Sequence, residues 1–176
     1  ADAAILHLRW RTESQVCIPN THPWLKEGIA FCHNGALPVT DALLAEIDED
    51  LVQSCDGDTD SELYFSLLLT HLRREGNMVA AIRRTLDWLE PTAYSSLNAM
   101  VLSNSDLWII SKHRPERGPE EFDSTYYELR WQTNPAGVTS AWSNGIRAAG
   151  LGTLLPSGSV LHIPKSGIPE VIALHS

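Results

Sequence analysis

The spacing of apolar positions changes character along this chain, and the changes mark its elements. Residues 28–35, Gly-Ile-Ala-Phe-Cys-His-Asn-Gly, form an apolar run of strand length that stops at Asn34-Gly35. Residues 3–9 read as a strand in which Ile5, His7 and Arg9 share a face and Arg9 projects from the end. Arg11 to Pro23 is polar and turn-rich, so it reads as a loop. Trp10 and Trp24 beside it read as packing residues. Helical spacing follows: Thr40 or Asp41 is the expected N-cap of a helix with Leu43, Leu44, Ile47 and Leu51 on one face, ending before Gly57. Thr59 or Asp60 is the expected cap of the next. It carries Glu62 early, and Leu63, Phe65, Leu67, Leu68, Leu69 and Leu72 make it apolar nearly all round, as a buried helix is. Gly76-Asn77 breaks that helix before another over 78–89, with Val79, Ile82, Leu86 and Leu89 aligned. Arg73, Arg74, Arg83 and Arg84 read as solvated helix faces.

Beyond Pro91 the period becomes two. Strands are expected at 97–103 and 107–111 around an Asn104-Ser105 turn, and at 126–132, 138–142, 159–163 and 170–174. Lys112 to Ser124, charged and rich in Pro and Gly, reads as a solvated loop. Strands, consecutive helices and strands again, without βαβ alternation, argue an α+β fold with largely antiparallel sheets. No repeat, linker or low-complexity tract divides residues 1–176, so one domain is expected.

Composition narrows the partners. A net charge of -9 argues against nucleic acid or an anionic membrane surface, both of which need a basic patch. No apolar stretch approaches the roughly 20 residues of a membrane span, and the expected location is the cytoplasm. Cys17, Cys32 and Cys55 are odd in number and lack Cys-x-x-Cys spacing, so they read as small apolar residues inside a reduced protein. Cys32-His33 is a poor metal chelate, because consecutive strand residues face opposite ways. No metal and no cofactor is expected.

Asn34-Gly35 admits two readings. It is a tight turn of hairpin type, since Gly accepts positive φ and Asn tolerates it. Alternatively, the Asn side chain and the Gly backbone N–H are paired donors of an oxyanion hole. The flanking segments bear on the choice. Upstream lie His7-Leu8-Arg9-Trp10-Arg11-Thr12 and Asn20-Thr21-His22-Pro23-Trp24; downstream lies Gly57-Asp58-Thr59-Asp60-Ser61-Glu62. In this order these segments resemble the glutaminase domain of class II glutamine amidotransferases, which are N-terminal nucleophile hydrolases. The Asn-Thr-His-Pro and Gly-Asp-Thr-Asp-Ser-Glu stretches look most like small stand-alone bacterial members, relatives of the ergothioneine-pathway γ-glutamyl amidohydrolase. Two departures stand out: Glu13 where glucosamine-6-phosphate synthase-like sequences have His, and Trp24 where closer relatives have Phe.

The resemblance implies a four-layer αββα sandwich, two largely antiparallel sheets face to face with helices outside. It implies hydrolysis of the side-chain amide of glutamine or of a γ-glutamyl amide. Arg9 would hold the α-carboxylate, with a hydroxyl from Thr12, and Asp60 would accept the α-ammonium. Asn34 and Gly35 would bind the oxyanion, and His33 would only brace the turn. Arg9 as a plain strand-end charge and Asp60 as a helix cap are the competing structural roles; Asp58 in the capping role would instead free Asp60 for the ligand.

The family's nucleophile is an N-terminal cysteine whose own α-amino group is the base. This chain begins with Ala1, and an internal cysteine has an amide where that amine is needed. The expectation is a domain lacking its N-terminal strands, with the nucleophile on an upstream segment or an associated chain. The rival is a non-catalytic module that binds glutamine or a γ-glutamyl compound. A missing strand would leave an open edge or an apolar trough beside Arg9 and Asn34. The chain as it stands is expected to release no ammonia from glutamine. Release that persists after Cys17→Ala, Cys32→Ala and Cys55→Ala are combined would overturn the argument from Ala1.

Overall fold

The computed structural model describes residues 2–8, 17–103, 106–121, 123–143 and 152–174. Arg9, Trp10, Thr12 and the Asn104-Ser105 turn lie outside the described residues.

Strands β1 (Trp24–Lys26) and β2 (Ile29–Asn34) form a hairpin with Lys26 opposite Ile29. Its two-residue loop is Glu27-Gly28, with φ of 52° and 75°, the left-handed pair that matches the twist of the flanking strands. The hairpin turn therefore precedes β2. At Asn34-Gly35 the chain leaves the sheet and runs to a helix, which removes the hairpin reading of that dipeptide.

Thr40 caps α1 (Asp41–Glu46), its hydroxyl accepting from the Leu43 amide. The single helix expected over this region is two, because Ile47 is extended (φ −74°, ψ 138°) before α2 (Glu49–Gln53) begins. Thr59, not Asp60, caps α3 (Asp60–Glu75), whose middle residues Leu67, Leu68 and Leu69 are fully buried as their all-round apolarity predicts. Gly76, at φ 65°, ends α3, and the Asn77 side chain caps α4 (Met78–Leu89). Arg73 and Arg74 are not simply solvated. Arg73 pairs with Glu27, Asp48 and Asp50, and Arg74 with Glu46 and Asp48, tying α3 to the β1–β2 loop and to the junction of α1 and α2.

The second half supplies β3 (Asn98–Leu102), β4 (Asp106–Ser111), β5 (Leu129–Thr133), β6 (Thr139–Ser143), β7 (Thr153–Leu155), β8 (Ser159–Pro164) and β9 (Glu170–Ala173). Two short strands, β1 and β7, escape the period-two reading, since three residues carry too little alternation to register. Residues 2–8 are in no strand, contrary to expectation. That segment pairs with no described strand, so it has no ladder for its backbone groups; His7 instead meets His22 edge to face, ring centres 4.0 Å apart. The 112–124 stretch is less solvated than expected. It holds a short 3-10 turn at Pro115–Arg117, the Lys112 ammonium pairs with Glu90 at 2.7 Å, and Arg114 lies over the Tyr94 ring.

Among the described residues every strand pairing is antiparallel, in a six-stranded sheet ordered β1-β2-β3-β4-β8-β9 and a three-stranded sheet ordered β6-β5-β7. One face of the larger sheet packs on the helices: Phe31 stacks on Phe65 with ring centres 4.8 Å apart and meets Tyr64 edge-on, all three fully buried. The other face meets the smaller sheet through Ile109, Leu161, Leu129 and Leu155. Helices, sheet and sheet give the α+β class with two face-to-face antiparallel sheets, and the described residues supply three of its layers. No helix among the described residues is long and apolar enough to cross a membrane.

Phe31 joins sheet to helices at the centre of the larger core. Phe31→Ala is expected to destabilise the fold by about 3–5 kcal/mol, measured as a lowered urea midpoint with unchanged slope.

Candidate active site

Asn34 ends β2 and stays in register with Asn98 of β3. Gly35 follows with φ 153°. A Cβ there would stand 2.1 Å from the Ser96 carbonyl oxygen and 2.6 Å from its carbon. Backbone cannot yield as a flexible side chain can, so only glycine lets these two segments touch. The loop beyond is tied down on both sides: the Ala36 amide donates to Ser95 Oγ at 3.0 Å, and the Leu37 amide donates to Asp60 Oδ2 at 2.8 Å.

Asp60 therefore reaches the Asn34-Gly35 loop. Its other oxygen accepts from the Ser61 amide at 2.8 Å and lies 3.3 Å from the Ser61 hydroxyl. Two amide donors leave a carboxylate with acceptor capacity in hand, as a ligand for an ammonium needs. Neither Asp58 nor Asp60 is the cap residue of α3. Thr59 caps the helix, and Asp58 is engaged by the Asn20 amide at 2.7 Å. Of the sequence-predicted residues, the structure thus brings together Asn34, Gly35 and Asp60, while Arg9 and Thr12 lie outside the described residues.

His33 braces this arrangement from below. Its Nε2 faces the Ser96 carbonyl at 2.9 Å, which can only accept, so that nitrogen carries the hydrogen. Nδ1 then accepts from the Ser61 hydroxyl at 2.8 Å. Burial pushes the imidazole below its ordinary value, against the pull of the Asp60 carboxylate and the Ser96 carbonyl. Ser61 and Ser96, which link β2, β3 and α3 through this ring, were missed by sequence reasoning. Their role comes from contacts 28 and 63 residues apart, which no local pattern records.

On the opposite face of β2, an apolar cleft of about 50 Å³ opens beside Asn34, lined by Leu6, Cys32, Asn98, Met100 and Leu129 among others. A trough is expected beside Arg9 and Asn34; the cleft adjoins Asn34, and Arg9 lies outside the described residues. Cys32 in its wall is no nucleophile at neutral pH, because burial pushes its thiol up to about 11. Cys17, Cys32 and Cys55 are all free; Cys17 is exposed, unlike the buried residue expected. Trp24 packs as expected, its indole N–H donating to the Pro19 carbonyl at 2.9 Å. Among the described residues no group of three or more His, Cys, Asp or Glu is arranged to hold a metal.

Comparison with known proteins shows the family. Residues 1–115 match the family model of class II glutamine amidotransferases. This chain belongs to that family. Over 112 residues it is 30% identical to glutamine--fructose-6-phosphate aminotransferase of Xanthomonas campestris pv. campestris, a match covering 64% of this chain and 18% of that protein. Over 87 residues it is 33% identical to the same enzyme of Shewanella oneidensis, covering 49% and 14%. The chain thus spans less than a fifth of these relatives. In fold it is similar to a glutamine aminotransferase class-II domain protein from Silicibacter pomeroyi, with a TM-score of 0.67 at 19% identity over 91% of this chain and 72% of that one. It is also similar to an allosteric regulatory enzyme of purine biosynthesis, with a TM-score of 0.64 at 17% identity over 96% and 34%. The fold is that of N-terminal nucleophile hydrolases.

Two buried histidines set a pH dependence. Desolvation lowers both His33 and His71 below the ordinary value of 6.5. Above that value both rings are neutral in either state and stability is full. As pH falls below it, the unfolded chain binds protons that the folded chain refuses, so stability declines, by up to about 1.4 kcal/mol per pH unit for each ring. Urea unfolding between pH 7 and 5 is expected to show this decline, and His33→Gln to reduce its slope while leaving the share due to His71.

Proposed function

We propose that this domain binds glutamine, or another γ-glutamyl amide, and supports hydrolysis of its side-chain amide by a cysteine carried on a segment upstream of Ala1 or on an associated chain. The observation that carries the reading is the hydrogen bond from the Leu37 amide to Asp60, which holds an acidic group against the Asn34-Gly35 loop. A free amino acid presents an ammonium and a carboxylate at one end and an amide at the other. Asp60 accepts the ammonium, and the planar fork of Arg9 takes the carboxylate with a hydroxyl from Thr12. When a thiolate attacks the amide carbon, negative charge develops on the carbonyl oxygen, and the Asn34 side-chain amide and the Gly35 N–H are the donors for it. Three unpaired thiols suit the reducing environment of a cytoplasm.

Calorimetry with glutamine tests the pocket without requiring turnover. Asp60→Asn and Arg9→Ala are each expected to weaken binding by about 2–5 kcal/mol, tens to thousands of fold, with the fold intact. Parent-like affinity in both variants would remove these residues from the site and the reading with them.

A further inference from the structure

The segment that delivers Asp60 is held from the side of β1 by a buried ion pair. Glu62 is 1% exposed, and a carboxylate is rarely so enclosed without partners. Its Oε1 lies 3.1 Å from Lys26 Nζ and accepts from the Asp56 amide at 3.2 Å, while Oε2 accepts from the Gly57 amide at 2.9 Å. Lys26 is itself enclosed, with 12% of its side chain exposed and Cys55 Sγ 3.5 Å from the ammonium. At the third position of α3 a glutamate ordinarily reaches back to its own cap residue. Here it reaches further, to the two amides that begin the approach to Thr59.

The loop so gripped has no slack. A Cβ on Gly57 would stand 2.3 Å from Asn20 Oδ1 and 3.1 Å from Glu62 Oε2. Asn20, 1% exposed, donates to Asp58 Oδ1 at 2.7 Å and accepts from the Asp58 amide at 3.1 Å. An apolar pair could join β1 to α3 as firmly, and burying an ion pair sacrifices hydration on both partners. What the charges add is direction: two amides are fixed toward Glu62 and the next residues can leave by one path only.

We infer that Lys26 and Glu62 are positioning residues, which set the Asp60 carboxylate against the Asn34-Gly35 loop by fixing residues 56–59. The functional meaning rests on the proposed role of Asp60; the mechanical coupling does not. Two measurements on the 176-residue chain separate them: amide hydrogen exchange, and calorimetry with glutamine. Lys26→Met is expected to speed exchange about tenfold at Asp56, Gly57 and, through Asp60, at Leu37, while Leu67 to Leu69 in mid-α3 stay protected. Glutamine affinity is expected to fall about tenfold. Lys26→Met combined with Glu62→Gln leaves no unpaired buried charge, so it keeps the fold available while the loop stays loose. Lys26→Arg is expected to restore both readouts. Loosening at Asp56 and Gly57 that leaves Leu37 unchanged, or equal acceleration throughout α3, overturns the inference. If the parent chain binds no glutamine, the functional reading fails, and the exchange pattern at Leu37 alone decides the coupling.

Discussion

The contact of Gly35 with the Ser96 carbonyl is the constraint on which the candidate site depends. With no Cβ between them, the end of β2 lies flat against the residue that leads into β3. His33 can then bridge Ser96 to Ser61, and Asp60 can collect the Leu37 amide. A strand end, a strand start and a helix start thus converge within a few residues of each. Any side chain at position 35 would separate the first two, and the third would have nothing to hold.

The two faces of β2 divide the labour. Toward the helices, Phe31 and His33 are sealed in aromatic and polar contacts that fix the strand in place. Toward the second sheet, Cys32 and Asn34 line an apolar cleft. The candidate site therefore lies at the boundary between the helical layer and the space between the sheets, with Asp60 entering from the helix side. Electrostatics follows the same plan. The charged groups nearest the site are fixed by short-range hydrogen bonds to backbone, as at Asp60 and Glu62, so little of their geometry is left to side-chain rotation.

Much of this was legible in the sequence, and what was not has a physical reason. Helices α3 and α4 declared themselves through spacing and through Thr59, Gly76 and Asn77, because capping and periodicity are local. The antiparallel strands from β3 onward, the three-residue β7 excepted, were visible for the same reason. The placement of Asn34, Gly35 and Asp60 was suggested by motif order, yet their joining through Leu37 was not. It depends on a backbone amide, which carries no sequence signature. The strand expected at 3–9 failed because alternation proposes a strand, whereas only a partner ladder makes one. Likewise Glu62 looked like a routine capping residue until its burial and its partner on β1 were seen.

The alternation along β2 also bears on how this family can vary. Strand residues change face at every step, so adding or deleting one residue between Gly28 and Asn34 would turn the cleft-facing amide inward and bring the helix-facing imidazole into the cleft. No nearby adjustment could correct both, because Gly35 is held at Ser96 and the hairpin at Glu27-Gly28 holds the other end. Substitution is thus the only route by which this stretch can drift. Length change belongs instead to turns such as 134–138, where exposed residues answer to nothing beyond their own hairpin.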